Sequence, residues 1–240
     1  MAVGYAEKDA SGPEPRAYNS LVFVDKTGSV IAHTRKSFLY YTDETWASEG
    51  QGFHSGKIEI GPSLSTTKVA SGICMDMNPY KFEAPWTSYE FANHALASGA
   101  ELVVLSMAWL TRLSAFELQA QAKQPDLDTV SYWLERMRPL LGPNGREEEV
   151  LVVFANRCGE EGESPVMGPV RYAGSSTVMG ISRGDGRMDG HVRIWDILGR
   201  AEEGLLVVDT KNVPKYGLKR SLPAESLNGD QGPIPLSDHE

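Results

Sequence analysis

The sequence predicts an α/β fold, and three observations carry that reading. A strand, a helix and a second strand follow one another between Thr67 and Ser106, and a helix and strand repeat the pattern between Leu127 and Phe154. The 240 residues, 41% hydrophobic and 23% charged, suffice for a sizeable core of ordinary globular composition. This alternation specifies α/β without specifying how many sheets there are.

The elements follow in order. Ala2 to Tyr5 reads as a short strand. Asn19 to Arg35 reads as a hairpin: Ser20-Leu-Val-Phe-Val24 and Val30-Ile31-Ala32 flank Asp25-Lys-Thr-Gly28, where Gly28 supplies the positive φ of a tight turn. Lys36 to Phe53 is polar, aromatic and aperiodic, and therefore a loop. Lys57 to Ile60 alternates as a strand. Thr67 to Cys74 is the next strand and stops abruptly at Met-Asp-Met-Asn-Pro-Tyr. Thr87 to Ser98 places Tyr89, Phe91, Ala92, Ala95 and Leu96 on one helical face, and Gly99 ends the helix. Glu101 to Ser106 is a buried strand. Leu127 to Leu141 is one amphipathic helix, with Val130, Trp133, Leu134 and Met137 as its stripe, closed by Gly142-Pro143. Glu149 to Phe154 is a strand, and shorter strand-like runs cover Ser175 to Ile181, His191 to Ile197 and Leu205 to Val208. Residues 1–210 form the expected domain, and 211–240, rich in Pro, Gly, Ser and charge, a disordered tail.

Composition excludes several classes of function. A net charge of −9 argues against nucleic acid, which requires clustered Lys and Arg. The two cysteines, Cys74 and Cys158, form no disulfide framework and fit a reducing, cytoplasmic setting. No run reaches the ~20 apolar residues of a membrane span, and the N-terminus lacks the pattern of a signal peptide. His33, His54, His94, His191 and His239 have no metal-ligand spacing. Gly184 to Gly190 reads as a turn rather than a dinucleotide loop.

Cys74 is the residue with chemistry to explain. It stands at the C-terminal end of a strand expected to be parallel, where α/β folds place their sites, and Pro79 forces the chain to turn. A lone free cysteine is more often a small buried hydrophobe. A nearby lysine would lower its pKa and make it a nucleophile. Arg35-Lys36 opens the aromatic loop, Glu44 lies eight positions beyond Lys36, and Gly50 and Phe53 lead to the strand pair ending at Cys74. Trp109 leaves another strand at its C-terminal end and, with Trp46, is a candidate pocket residue.

Arg35-Lys-Ser-Phe-Leu-Tyr-Tyr-Thr-Asp-Glu-x-Trp46, Gly50-x-Phe-like spacing to Phe53, Gly72-Ile-Cys-Met-Asp-Met-Asn-Pro79, Asn156-Arg157 and Tyr172-x-Gly-Ser-Ser176 occur in the order found in the nitrilase superfamily of carbon–nitrogen hydrolases. The resemblance spans Tyr5 to Val208 and is greatest to the fungal-type protein N-terminal amidases. It implies an αββα sandwich of two facing sheets with helices outside, often paired into a homodimer, and no cofactor. It implies that Cys74 attacks a carboxamide while Lys36 and the Met75 N–H stabilise the oxyanion. Glu44 would position substrate or Lys36, and Asp76 would brace the turn at the nucleophile. The implied substrates are protein N-termini bearing Asn or Gln, with small amides or nitriles as the alternative.

The family's general base, a glutamate, precedes the lysine by at least one β–α unit. A parallel crossover takes roughly a dozen residues or more, and the 35 residues before Lys36 are occupied by the hairpin and first strand. The sandwich is therefore expected to be incomplete at its N-terminus. Glu7, the acidic residue nearest an upstream strand end, lacks the base's context. A catalytically inactive fragment is accordingly a second reading beside an amidohydrolase.

Overall fold

The computed structural model describes residues 1–60, 65–164, 168–183 and 191–219. The Gly184 to Gly190 turn and residues 220–240 of the expected tail lie outside them.

The chain opens with three antiparallel strands, β1 (Ala2–Asp9), β2 (Arg16–Val24) and β3 (Val30–Arg35), forming a sheet of their own in that order. The β2–β3 turn is built as its residues dictate. Asp25 Oδ1 accepts the N–H groups of Thr27 and Ser29, and Gly28 takes φ 87°. Next come β4 (His54–Ile60) and β5 (Ser65–Ile73), α1 (Glu90–Ala97), β6 (Leu102–Met107), α2 (Ala115–Ala120), α3 (Leu127–Arg136), α4 (Arg138–Leu141) and β7 (Val150–Asn156). Strands β8 (Cys158–Ser164) and β9 (Gly168–Ala173) form a separate hairpin, and β10 (Thr177–Ser182), β11 (His191–Ile197) and β12 (Tyr216–Lys219) complete the order. The larger sheet runs β12-β11-β10-β7-β6-β5-β4, with β5–β6–β7 parallel and the remaining pairs antiparallel.

The period-2 alternation of β5 and β6 sorts their side chains to two cores. Val69 and Ile73 of β5 and Leu102 and Val104 of β6 meet Leu21 and Phe23 of β2, so the three-stranded sheet lies face to face with the larger one. Ala70, Val103, Leu105 and Met107 point to the opposite side and pack with Phe91 and Ala95 of α1, Trp133 and Leu134 of α3, and Leu140 of α4. The two facing sheets are those expected from the motifs, and the helices lie on the outer side of the larger sheet. Strand β1 is exposed along nearly all its length.

Several elements differ from the sequence reading. The helix expected from Leu127 to Leu141 breaks at Met137, because Pro139 lacks the N–H that a continuous helix would use. Helix α2, with a Ser114–Glu117 capping box, and the β8–β9 hairpin have no counterpart in that reading. Leu205 to Val208 is irregular, with Leu205 and Val207 exposed. Tyr216–Lys219 instead supplies the strand that pairs with β11.

Candidate active site

Lys36 leaves β3 directly into the aromatic loop. Its backbone is held at both groups, the N–H donating to Asn19 O at 2.7 Å and the carbonyl accepting from Gly50 N–H at 2.7 Å. A Cβ on Gly50 would stand 2.4 Å from the Arg35 carbonyl oxygen, so this close approach of two backbones requires glycine. Lys36 is 3% exposed, and its Nζ donates to Asp43 Oδ2 at 2.5 Å. Asp43 sits in a single 3-10 turn, Asp43–Thr45, and is fully engaged. Its Oδ2 also accepts the Tyr40 N–H at 3.0 Å, and Oδ1 accepts Asn19 Nδ2 at 3.1 Å. Glu44, one residue further round the turn, is exposed. The side chain that reaches Lys36 is thus Asp43.

Cys74 follows the last residue of β5 and takes φ 45°, a left-handed conformation that costs a residue with a Cβ about 1–3 kcal/mol. Asp76 offsets that strain locally. It is 2% exposed; its Oδ2 accepts the Ile73 N–H at 2.7 Å, and its Oδ1 accepts the N–H groups of Ser37 at 2.9 Å and Phe38 at 2.8 Å. One carboxylate thereby ties the strand end before Cys74 to the two residues after Lys36. Burial pushes the Asp76 carboxyl up to about 6, against the downward pull of these amides and of Lys36.

Burial likewise raises the Cys74 thiol, opposed first by Lys36 and then by a hydrogen bond from the Ala108 N–H, which follows the end of β6. Asp43 and Asp76 push it further up. A thiol placed near a cation and a backbone donor has two groups that favour its thiolate, Lys36 and the Ala108 N–H, against the cost of burial.

The surroundings come from the other strand ends. Trp109 continues from β6, its N–H donating to Asn156 Oδ1 at 2.7 Å, while Asn156 Nδ2 donates to Gly174 O at 2.9 Å. Ser176 Oγ both accepts the Asn156 N–H at 3.0 Å and donates to its carbonyl at 2.9 Å. The downstream motif residues therefore fasten the ends of β6, β7 and β9 and the start of β10 to one another. The Trp109 ring packs on Tyr132 and Trp133 at the rim of the helix-side core. Cys74 contributes to raising both the Tyr40 and Tyr172 phenols, and burial together with Glu161 pushes Tyr172 up to about 12. Trp46 lies elsewhere: with Ala6, Lys8, Pro15 and Ala17 it lines a separate, shallow groove of about 310 Å³.

The structure brings the sequence candidates Lys36, Cys74, Met75 and Asp76 together, and adds Asp43, Tyr40 and Tyr172, which the sequence did not single out. Asp43 differs from Glu44 by one position, and only the phase of a 3-10 turn separates them. Tyr172 was visible as a motif member, without a sign that Cys74 would act on it. Glu7 is held by Arg35 at 2.5 Å, His33 at 2.9 Å and Ser20 at 2.6 Å. Arg35 in particular holds its carboxyl down at about 2. It pairs in register with Tyr18, on the strand face opposite Leu21 and Phe23, and so points away from the inter-sheet core that Cys74 borders.

No protein-family profile matches the chain. A protein N-terminal amidase of Schizosaccharomyces pombe is 30% identical over 218 residues, covering 85% of this chain and 68% of the relative. Another, from Saccharomyces cerevisiae, is 34% identical over 130 residues, 49% of this chain and 28% of the relative. Among solved structures, an N-terminal amidase with a Gln-Gly peptide superposes with a TM-score of 0.70 at 21% identity, covering 83% of this chain and 75% of that one, a likeness of fold. The turn at Cys74, the lysine loop tied to it and this identity over most of the chain place the protein in the protein N-terminal amidase family.

Proposed function

We propose that this chain carries the nucleophile centre of a thiol amidohydrolase that deamidates N-terminal Asn and Gln of proteins, releasing ammonia. The observation that carries it is the Asp76 brace, which couples the backbone beside Lys36 to the backbone beside Cys74. In the reaction, the Cys74 thiolate adds to the side-chain carboxamide carbon. Lys36 and the Met75 N–H receive the developing oxyanion. The C–N bond breaks, the nitrogen leaves as ammonia with the proton that came from the thiol, and a thioester remains. Water then cleaves the thioester to a carboxylate and restores the thiol. Trp109, Tyr40 and Tyr172 would form the walls around the amide. Two free cysteines support a reducing, cytoplasmic location.

A second reading, a chain that holds the N-terminus without turnover, is favoured by one observation. Among the described residues, the carboxylates that act on Cys74 are Asp43 and Asp76, and both are engaged by several donors. A missing proton acceptor costs typically 10²–10⁴-fold. Ammonia release from peptides beginning with Asn or Gln, compared with free small amides, tests the assignment. Cys74-dependent release confined to the peptides is expected for the first reading, and iodoacetamide labelling of Cys74 without release for the second. Full activity in Cys74→Ala would remove both.

A further inference from the structure

We infer that Arg136 is a positioning residue for the nucleophile turn, acting from beneath it through the backbone of the loop that follows. The inference rests on the assignment of Cys74 as nucleophile and deepens it.

Arg136, the last residue of α3, is 0% exposed. Its Nε donates to Met77 O at 2.8 Å and its Nη1 to Trp86 O at 2.6 Å, so one planar group stitches together the two ends of the loop from Met77 to Trp86. The guanidinium lies 4.5 Å from the Trp86 ring centroid and 4.7 Å from that of Tyr89, and Nη2 stands 3.9 Å from Glu90 Oε2. Glu90 Oε1 in turn accepts the Tyr80 N–H at 3.2 Å, a third point on the same loop. One turn earlier on α3, Tyr132 OH donates to Asn78 Oδ1 at 2.7 Å, and the Asn78 N–H donates to Met75 O at 2.9 Å. Met77 is the last residue of the 3-10 turn that Cys74 begins.

This loop needs holding. Besides Cys74, Lys81 and Phe82 take φ 53° and 56°, and Tyr89 takes φ 43°. Left-handed residues of this kind persist only where their surroundings over-determine them. A fully buried cation is a costly way to fill a core, and its partners must offset that cost. What an apolar side chain cannot do is bind two carbonyls at fixed separation, and lysine, with a point charge, cannot reproduce the fork. With the clamp in place, the Cys74 sulfur stays between Lys36 and the Ala108 N–H. With the clamp gone, the turn relaxes and the sulfur leaves both.

The test is the rate of Cys74 carboxamidomethylation by iodoacetamide, read by mass spectrometry across the thiol titration, in Arg136→Met, Arg136→Lys and Val192→Ala. Val192 lies in the helix-side core on β11 and controls for lost stability alone. Arg136→Met, which leaves the Met77 and Trp86 carbonyls without their donor, is expected to lose stability, and its labelling to slow by ~10- to 100-fold, the scale of a misplaced reacting group, with the titration midpoint moved upward. Arg136→Lys is expected to fall between it and wild type. A wild-type rate and midpoint in either variant, or a slowing no greater than that of Val192→Ala at equal stability, would overturn the inference. If both Arg136 variants fail to fold, Tyr132→Phe reads the same clamp through Asn78, and an unchanged profile there overturns it equally. Labelling needs no amide substrate, so the outcome is independent of whether N-terminal Asn and Gln prove to be the substrates.

Discussion

At the scale of single residues, Asp43 and Glu44 stand side by side with opposite surroundings. Asp43 is buried against Lys36, Asn19 and the Tyr40 amide, while Glu44 faces solvent. Removing one member of a buried ion pair costs about 3–5 kcal/mol when it strands the other, and Asn at 43 would keep some of the hydrogen bonds. Asp43→Asn is therefore expected to lose a few kcal/mol in urea unfolding, and Glu44→Gln to stay within ~0.5 kcal/mol of wild type. Because Asp43 pushes the Cys74 thiol up, neutralising it should lower the pH midpoint of iodoacetamide labelling. Equal effects at the two positions would return the lysine-positioning role to Glu44. The sequence could not separate the two. They are adjacent carboxylates in an aperiodic stretch, and which one turns inward depends on a three-residue helical turn that has no hydrophobic period to set its phase.

At the scale of elements, the site consists of one loop pinned to one strand end, with Asp76 as the pin. Its carboxyl, raised to about 6 from an ordinary 3.8, takes up a proton in the folded protein before it does in the unfolded chain. The sign follows: relative to Asp76→Asn, the stability contributed by protonation is fully present below about pH 4 and is lost as pH rises through 6. The two-unit difference corresponds to at most ~3 kcal/mol. Urea unfolding of wild type and Asp76→Asn at several pH values should show that declining difference, and a flat difference would mean that the carboxyl is not so shifted. Elements with a clear period were legible in advance. The alternating runs of β5 and β6 and the apolar stripe of α1 fixed the strand–helix–strand unit, because burial on known faces leaves a readable pattern. The β8–β9 hairpin was not legible, since Cys-Gly-Glu-Glu-Gly-Glu-Ser is polar and owes its pairing to the partner strand rather than to a buried face.

At the scale of the molecule, the larger sheet divides two cores, and Cys74 borders both. Cys74 packs against the inter-sheet cluster of Leu21, Phe23, Ile58, Val69 and Ile73 and also against the helix-side cluster. Leu21 is 1% exposed, and Leu21→Ala is expected to cost about 2–5 kcal/mol, the usual range for a buried leucine. Urea unfolding measures it. A loss under 1 kcal/mol would mean that the facing sheets contribute little to each other. That there are two sheets was legible only through the ordered motifs. Hydrophobic alternation says which side chains are buried and leaves open what buries them.

The left-handed backbone at Cys74 sets stability and chemistry against each other at one atom. Any residue with a Cβ placed there inherits the strain, and glycine alone escapes it. An inactive protein meant to capture substrate without converting it is therefore better made by replacing the nucleophile with glycine than with alanine. Cys74→Gly should unfold at higher urea than Cys74→Ala, by about 1 kcal/mol. The reverse order would mean that the turn is held so firmly from outside that the residue within it no longer matters.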